Sequence, residues 1–377
     1  MALASSPMTT WALPKFQLPT HMESHCLLYL DAIRLGRAAP RAMIGRVRST
    51  LILLAIMALA GCGARPVSPA AIAAQPASPG AFAVHFADDI PLHDAARERT
   101  LTLRVWYPEP AGRYPVIIFS PELGRSHRAY EYLGQAWAAR GYVSIHVSHP
   151  GSDIRVFAGK AFWRLKAIAK EVATAPATWS DRAGDVIALL DGLAALERAA
   201  PELNGRMDTS RVGIAGHSLG ALSTLLIAGV PIDLPDRPAA DFSDLRPLAF
   251  LAFSPPGPGT PLPTGAWQVR RPLLLVTGGR DDHPADLGTA HPASWRVASF
   301  AALSPGGKAL ITIPDAHHFT FSNGGGNSPA VDPTHLALIL QATSAFWDRH
   351  LKGVPGFETL MDAALPAANP TVTTGLR

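Results

Sequence analysis

The residues best suited to chemistry are Gly216-His217-Ser218-Leu219-Gly220, which lie between a strand-like run, RVGIA, and a helix-like run, ALSTLLIAGV. At a strand-to-helix turn, a Gly-x-Ser-x-Gly sequence holds its serine in a strained backbone, and its glycines remove Cβ atoms that would collide. The N-terminus of the next helix directs free N–H groups and partial positive charge to the same place. Ser218 is therefore predicted to be a nucleophile that attacks a carbonyl carbon.

Such a serine needs an acid and a base later in the chain, in the order Ser, Asp or Glu, His. The segment RPLLLVTGGRDDHP predicts a buried strand from Leu273 to Thr277, followed by Asp281 and Asp282. Asp281 is the preferred acid because it lies three residues past Gly278. Asp282 is more typical of a residue that caps a loop.

The predicted base follows another apolar run. The segment ALITIPDAHHFTF predicts a strand from Ala309 to Ile313 and then places two histidines side by side. We predict that His318 is the general base, with His317 as the alternative, because spacing alone does not separate neighbours in a loop. A neutral imidazole would take the proton of Ser218 while the carboxylate orients the ring.

An oxyanion hole is predicted from two backbone N–H groups. One belongs to Leu219, the residue after the nucleophile. The other belongs to the loop after the strand in YPVIIFSPELGRSH, where Leu123 is the preferred donor and Glu122 the next. Pro121 has no N–H and is excluded.

The elements that must position these residues alternate along the chain. Apolar runs predict strands near residues 101–107, 115–120, 143–148, 212–216, 248–253, 273–277 and 309–313, and helices at 130–140, 182–198, 219–228 and 334–351. Such alternation favours an α/β fold with a mostly parallel central sheet and helices on both faces. We predict a single catalytic domain over residues 81–354 and a loosely attached C-terminal tail over residues 355–377.

Several separate stretches between about residues 90 and 352 carry a resemblance to a known family. They are DAARERTLTLRVWYP, YEYLGQAWAARGYVSIHVSHPGSD, DRAGDVIALLDGL, VGIAGHSLGA, LLLVTGGRDD and DAHHFTF, in this order. Together they resemble the bacterial predicted dienelactone hydrolases related to platelet-activating factor acetylhydrolase. The resemblance implies an α/β-hydrolase fold and a serine esterase for short-chain acyl or phospholipid-type esters.

One departure from the family lies in the oxyanion loop. The family usually has Ser-His-Gly-x-Gly, and this chain has Ser120-Pro121-Glu122-Leu123-Gly124. Proline at the second position also occurs in related polyester-cleaving esterases, and the Glu122 carboxylate would oppose an oxyanion unless it points away. The alternatives are therefore a polyester-cleaving, cutinase-like hydrolase, an acyltransferase, or a catalytically weak binding protein anchored to the envelope.

The substrate pocket is predicted from aromatic and neighbouring residues. The segment 156–179 carries Phe162 and Trp163 among basic residues. It is either a lid or a wall of the acyl pocket, or else an ordinary amphipathic surface helix. Phe319, Glu122 and His217 are adjacent in sequence to the predicted site and are further candidates for the pocket.

The N-terminus has the features of an export signal. We predict an extension over residues 1–42, a lipoprotein-type signal peptide over 43–62, and an Ala/Pro-rich linker over 63–80. The closing Leu-Ala-Gly-Cys resembles a lipobox, which implies lipidation of Cys62 and anchoring of the exported protein to the bacterial cell envelope. An uncleaved membrane helix is the alternative.

Charge and cysteine content narrow the possible partners. Residues 1–62 hold six of the 33 Lys and Arg and two of the 29 Asp and Glu, which leaves 27 of each and no net charge. We therefore expect no nucleic acid partner, since nucleic acid binding depends on clustered basic residues. The only cysteines are Cys26 and Cys62, and no helix carries H-E-x-x-H, so we expect neither a metal nor an organic cofactor.

Overall fold

The computed structural model describes residues 81–259, 261–283, 290–323, 331–369 and 371–377. The predicted extension, signal peptide and linker, with Cys62, lie outside the described residues. Among the helices of these described ranges, none has the length and apolar character needed to cross a bilayer.

Within the described chain, nine strands form one twisted sheet in the order β1-β2-β4-β3-β5-β8-β9-β10-β11. Their bounds are β1 Val84–Asp94, β2 Arg99–Pro108, β3 Tyr114–Ser120, β4 Val143–Ser148, β5 Met207–His217, β8 Pro247–Phe253, β9 Leu273–Arg280, β10 Lys308–His317 and β11 Thr373–Leu376. The six central strands, β4, β3, β5, β8, β9 and β10, pair in parallel with their neighbours in this order. The strands β1 and β2 at one edge and β11 at the other pair antiparallel. A separate hairpin pairs β6 Ile232–Leu234 with β7 Arg237–Ala240.

Helices cover both faces of the sheet, because the side chains of each central strand alternate between two apolar cores. In β3, Val116 and Ile118 enter one core, and Ile117 and Phe119 enter the other. The first core packs against α3 Pro176–Ala199, α4 Leu219–Ile227 and α5 Ala293–Ala302; the second packs against α1 Glu131–Ala139 and α6 Pro333–Lys352. A further helix, α2 Leu165–Thr174, lies at the periphery and has no buried residue.

The predicted alternation matches this sheet, and every central parallel strand lies where an apolar run predicts it. The strands missed are β1, β6, β7 and β11. The helical segments missed include α5 and, within the tail, Phe357–Thr359, Leu360–Ala364 and Leu365–Ala368. The prediction of a loosely attached tail is wrong. Its Phe357, Met361 and Leu365 are buried in the second core, and β11 pairs with β10, so the last residues complete an edge of the sheet.

Candidate active site

Ser218 lies at the turn between β5 and α4, with φ of 55° and ψ of −114°. The glycines at the turn are required by close contacts. A Cβ on Gly216 would lie 2.2 Å from the carbonyl oxygen of Gly220, and a Cβ on Gly220 would lie 1.9 Å from the carbonyl oxygen of Ser120. The sequence therefore folds into a strained elbow that also packs against the end of β3.

The structure brings His318 and Asp281 to this serine. His318 Nε2 lies 2.9 Å from Ser218 Oγ, and His318 Nδ1 lies 2.9 Å from Asp281 Oδ1. Because a carboxylate only accepts hydrogen bonds, Nδ1 carries the ring hydrogen, and the Nε2 lone pair faces the serine hydroxyl. Asp281 and His318 follow the neighbouring parallel strands β9 and β10, which explains their proximity. We call Ser218, His318 and Asp281 the elbow set.

The two alternatives raised from the sequence have other contacts. The Asp282 carboxylate accepts a hydrogen bond of 2.8 Å from the backbone N–H of Ala293, where α5 begins. The His317 side chain caps the short helical turn that follows β10, and its backbone N–H donates to Thr320 Oγ1. Within the described residues, neither Asp282 nor His317 forms a hydrogen bond with the Ser218 side chain.

Asp281 is fully buried and has a second partner that the sequence did not reveal. Arg296 Nε lies 2.9 Å from Asp281 Oδ1, and Thr277 Oγ1 donates to Oδ2 at 2.9 Å. Burial alone would raise the pKa of Asp281, but the hydrogen bond from His318 and the positive charge of Arg296 outweigh burial and lower the pKa. The carboxylate therefore stays ionised beside the imidazole.

Arg296 itself is buried and fixes the neighbouring loop. Its Nη1 donates to the carbonyl oxygen of Ser254 at 2.7 Å, and its Nη2 lies 3.3 Å from His318 Nδ1. The last contact is not a hydrogen bond when Nδ1 carries its hydrogen, because both atoms are then donors. Burial lowers the pKa of Arg296. No local sequence signal could have identified this residue, since α5 was not predicted.

The side chain of His217 packs against the ring of His318. The two rings lie 4.6 Å apart at their centroids, and His217 Nδ1 is 2.6 Å from Tyr130 Oη. Burial, followed by the nearby charges of His318, Arg296 and Arg125, lowers the pKa of His217 well below its ordinary value. His217 therefore stays neutral and acts as packing for His318.

Glu122, the unexpected carboxylate of the oxyanion loop, points towards the histidines. Its Oε1 accepts from Arg125 Nε at 3.0 Å, and its Oε2 lies 3.6 Å from His217 Nδ1 and 3.9 Å from His318 Nε2. Glu122 is buried, and its carboxylate forms a salt bridge with Arg125. The carboxylate therefore belongs to the surroundings of His318 and does not line the cavity described next.

A cavity of about 560 Å³ opens above Ser218 and contains both predicted oxyanion donors. The Leu219 N–H is the first of α4 and so has no intrahelical acceptor. The cavity is also lined by apolar side chains, among them Leu123, Trp179, Leu222, Leu262 and Trp295. A larger groove of about 750 Å³ lies between β1 and α3 and includes none of the elbow set.

The predicted aromatic pocket residues lie elsewhere. Among the described residues that line the cavity, the 156–179 segment contributes Lys170, Ala173, Thr174 and Trp179. Phe162 and Trp163 pack on each other instead, and Trp163 is 69% exposed. Phe319 contacts the edge of the His318 ring and is 42% exposed. Phe162, Trp163 and Phe319 are not among the described residues that line the cavity, so their role in a substrate pocket stays a prediction.

A second Ser-His-Asp arrangement lies beneath the oxyanion loop. Ser120 Oγ is 2.9 Å from His149 Nε2, and His149 Nδ1 is 3.0 Å from Asp185 Oδ2. We call these three residues the buried set, because none of them is accessible to solvent. The Asp185 carboxylate also accepts from Arg97 and Arg99.

Arg182 connects the buried set to the oxyanion loop. Its Nη2 donates to Ser120 Oγ at 3.1 Å and to the carbonyl oxygen of Pro121, and its Nη1 donates to Ser152 Oγ at 2.9 Å. The N–H of Gly124, at the other end of the loop, donates to the Ser152 carbonyl oxygen at 2.9 Å. The loop that carries Leu123 is thus held at both ends.

Among solved structures, the chain is similar to a ferulic acid esterase from Streptomyces cinnamoneus, with 20% sequence identity and a TM-score of 0.53. The match covers 80% of this chain and 98% of that chain. No family model and no curated protein match the sequence. The likeness concerns the fold: together with the sheet topology, it defines a single domain with the α/β-hydrolase fold.

Proposed function

We propose that this protein is a serine esterase that hydrolyses carboxylic esters through an acyl-enzyme. The observation that carries the proposal is the geometry at the elbow, where Ser218 Oγ and Asp281 Oδ1 each lie 2.9 Å from opposite nitrogens of His318. The similar solved structure is an esterase for ferulic acid, which supports ester chemistry on this fold.

In the proposed reaction, Ser218 Oγ attacks the ester carbonyl carbon while His318 Nε2 takes the serine proton. The carbonyl oxygen becomes an oxyanion that accepts hydrogen bonds from the backbone N–H groups of Leu219 and Leu123. The imidazolium, stabilised by Asp281, gives its proton to the departing alcohol. Water then repeats the sequence on the acyl-enzyme and releases the acid and free Ser218.

The preferred substrates are short-chain acyl or phospholipid-type esters. An aromatic acyl group is a second candidate, which one feature of the cavity favours. The rings of Trp295 and His291 line it and stack at 4.1 Å with an interplanar angle of 11°. A planar acid could pack against such a surface.

Two measurements test the proposal. A fluorophosphonate probe should label Ser218 rapidly, and Ser218→Ala should abolish labelling; a fold without an activated serine would remain unlabelled. Initial rates on p-nitrophenyl acetate, butyrate, octanoate and cinnamate should then rank the acyl groups. A lack of turnover on all four esters, with a folded protein, would argue for the binding-protein alternative.

We further propose that the protein is exported and anchored to the cell envelope through a lipidated Cys62. The signal-like sequence before Cys62 supports this location. Metabolic labelling with a palmitate analogue should mark the native chain and not Cys62→Ser. Labelling that persists in Cys62→Ser would contradict the anchor.

A further inference from the structure

Residues 154–174 form a peripheral segment with unusual exposure for a folded domain. The segment contains two short 3-10 turns, Ile154–Phe157 and Phe162–Arg164, followed by α2, and none of these three elements has a buried residue. The half-buried positions of α2 face the domain, and its outer face is exposed. We call residues 154–174 the peripheral segment.

Two large apolar side chains of this segment lie at the surface. Trp163 is 69% exposed and Ile154 is 48% exposed. The Trp163 ring contacts the edge of Phe162 at a centroid distance of 5.2 Å, so the indole is held in position but faces solvent. Tryptophan is favoured where an apolar medium meets water, because its ring is apolar and its N–H is polar.

Basic residues surround these apolar side chains. Lys160, Arg164 and Lys170 are exposed, and Glu171 is the acidic residue in the same stretch. Arg155 is left out of this group because its guanidinium pairs with Asp153. Since the chain from residue 63 onwards has no net charge, the peripheral segment is a local positive region on a neutral protein.

The peripheral segment is continuous with the cavity above Ser218. Lys170 and Thr174 belong to α2 and also line that cavity. At the other end of the segment, Phe157 packs so closely on Gly124 that a Cβ there would lie 2.6 Å from the Phe157 ring. Whatever binds the peripheral segment is therefore brought next to the cavity opening and the oxyanion loop.

We propose that the peripheral segment docks the catalytic domain onto an anionic lipid surface. Trp163 and Ile154 enter the headgroup region, and the side chains of Lys160, Arg164 and Lys170 contact lipid phosphates. This docking rests on exposure and charge and is independent of the esterase proposal. An acidic protein partner is the competing occupant, which the experiment below distinguishes.

The test uses the full chain with Ser218→Ala, so that no lipid is hydrolysed, and vesicles that contain a phosphatidylcholine brominated on its acyl chain. Bromine quenches only tryptophans that approach the acyl region. The chain has eight tryptophans, so the contribution of Trp163 is taken as the difference in quenching from the Trp163→Phe variant. We expect this difference to be clear with vesicles containing phosphatidylglycerol and near zero with neutral vesicles.

A charge variant and a matched control sharpen the test. In Lys160→Gln/Arg164→Gln/Lys170→Gln, half-maximal quenching of Trp163 should require roughly 100-fold more anionic lipid, since each basic side chain contributes about fivefold. The control Arg198→Gln/Arg237→Gln/Arg270→Gln removes the same charge from exposed positions elsewhere and should change the midpoint by less than about threefold.

Absence of Trp163-dependent quenching with anionic vesicles would overturn the proposal and leave a protein partner as the occupant. Equal midpoints for the charge variant and its control would also overturn it, because docking would then not depend on the local charge. Since the binding is measured without Ser218, loss of esterase activity on a soluble ester would count against the proposed function and not against docking.

Discussion

The elbow set and the buried set have nearly the same internal geometry in very different surroundings. The serine–histidine distance is 2.9 Å in both, and the histidine–aspartate distance is 2.9 Å in the elbow set and 3.0 Å in the buried set. Ser218 has the positive φ of an elbow and opens onto a cavity, whereas Ser120 ends β3 and is sealed. The distances alone therefore do not define a nucleophile; access and free N–H donors are also needed.

The electrostatic surroundings of the buried set also oppose proton transfer. The pKa of His149 is lowered to about 4, first by burial and then by the charge of Arg182, despite the hydrogen bond with Asp185. An imidazole that does not hold a proton near neutral pH is a poor general base for an attacking serine. The buried set is therefore suited to support the structure, and it lies under the oxyanion loop.

The largest expected contrast comes from the two serines. Ser218→Ala should lower kcat by about 10⁵-fold to 10⁶-fold, because the nucleophile is lost. Ser120→Ala should keep kcat within about tenfold, because Ser120 cannot reach substrate. Steady-state rates on a p-nitrophenyl ester measure both. If Ser120→Ala lost more activity than Ser218→Ala, the buried set and not the elbow set would contain the nucleophile.

The two aspartates should differ in their effect on activity. Asp281→Asn should lower kcat by about 10⁴-fold, because the orientation of His318 is lost, and it should also lower the unfolding free energy, because the buried Arg296 loses its ionised partner. Asp185→Asn should lower the unfolding free energy by about 3–5 kcal/mol, because Arg97, Arg99 and His149 lose a buried partner. Urea unfolding and kcat, measured on both variants, check the pair. Similar profiles for the two variants would remove the distinction between the sets.

Arg182 provides a test of the link between the two regions. Arg182→Met should lower kcat about 100-fold with a small change in KM, because the Pro121 carbonyl loses its donor and the Leu123 N–H moves from its position. The affinity for a trifluoromethyl ketone, which mimics the oxyanion, should fall by a similar factor, and Arg182→Lys should recover part of both. Loss of stability with unchanged ketone affinity would show that Arg182 only supports the fold.

The smallest effect concerns pH. Because the folded pKa of His149 is about 4 and the ordinary value is 6.5, the unfolded chain binds more protons between these values. This contribution to stability is present above pH 6.5 and is lost as the pH falls to 4, by roughly 3 kcal/mol. Urea unfolding from pH 7 to pH 4.5 should therefore show a shrinking stability advantage of the native chain over His149→Gln. A constant advantage would mean that the pKa of His149 is the same in the folded and the unfolded chain.

The features that the sequence predicted are those with a local pattern. The central strands are short apolar runs, and the elbow combines two glycines with a strand before it and a helix after it. Asp281 and His318 could be chosen because each follows such a run, and parallel neighbours end at the same edge of the sheet. Ser218, Asp281 and His318 are the three residues that the structure brings into contact.

The missed features depend on contacts between distant segments. The alternation in β1 is interrupted by a bulge between Ala87 and Ile90, and β11 has only four residues, so neither has a clear strand pattern. Arg296 gains its importance from where α5 packs, and Arg182 gains its importance from the three segments that meet around it, which contain Ser223, Ser152 and Ser120-Pro121. A charged residue within a helix gives no sign in the sequence that it will be buried.

The close approach of Gly220 to the Ser120 carbonyl has a consequence for engineering. A single added carbon at Gly220 would lie 1.9 Å from that oxygen, so a larger residue there would force the elbow and the end of β3, which leads into the oxyanion loop, apart. Libraries that aim to change acyl selectivity should leave both elbow glycines unaltered. Diversity belongs at Trp179, Leu222 and Leu262, whose side chains line the cavity and can change size while the nucleophile and its donors keep their mutual spacing.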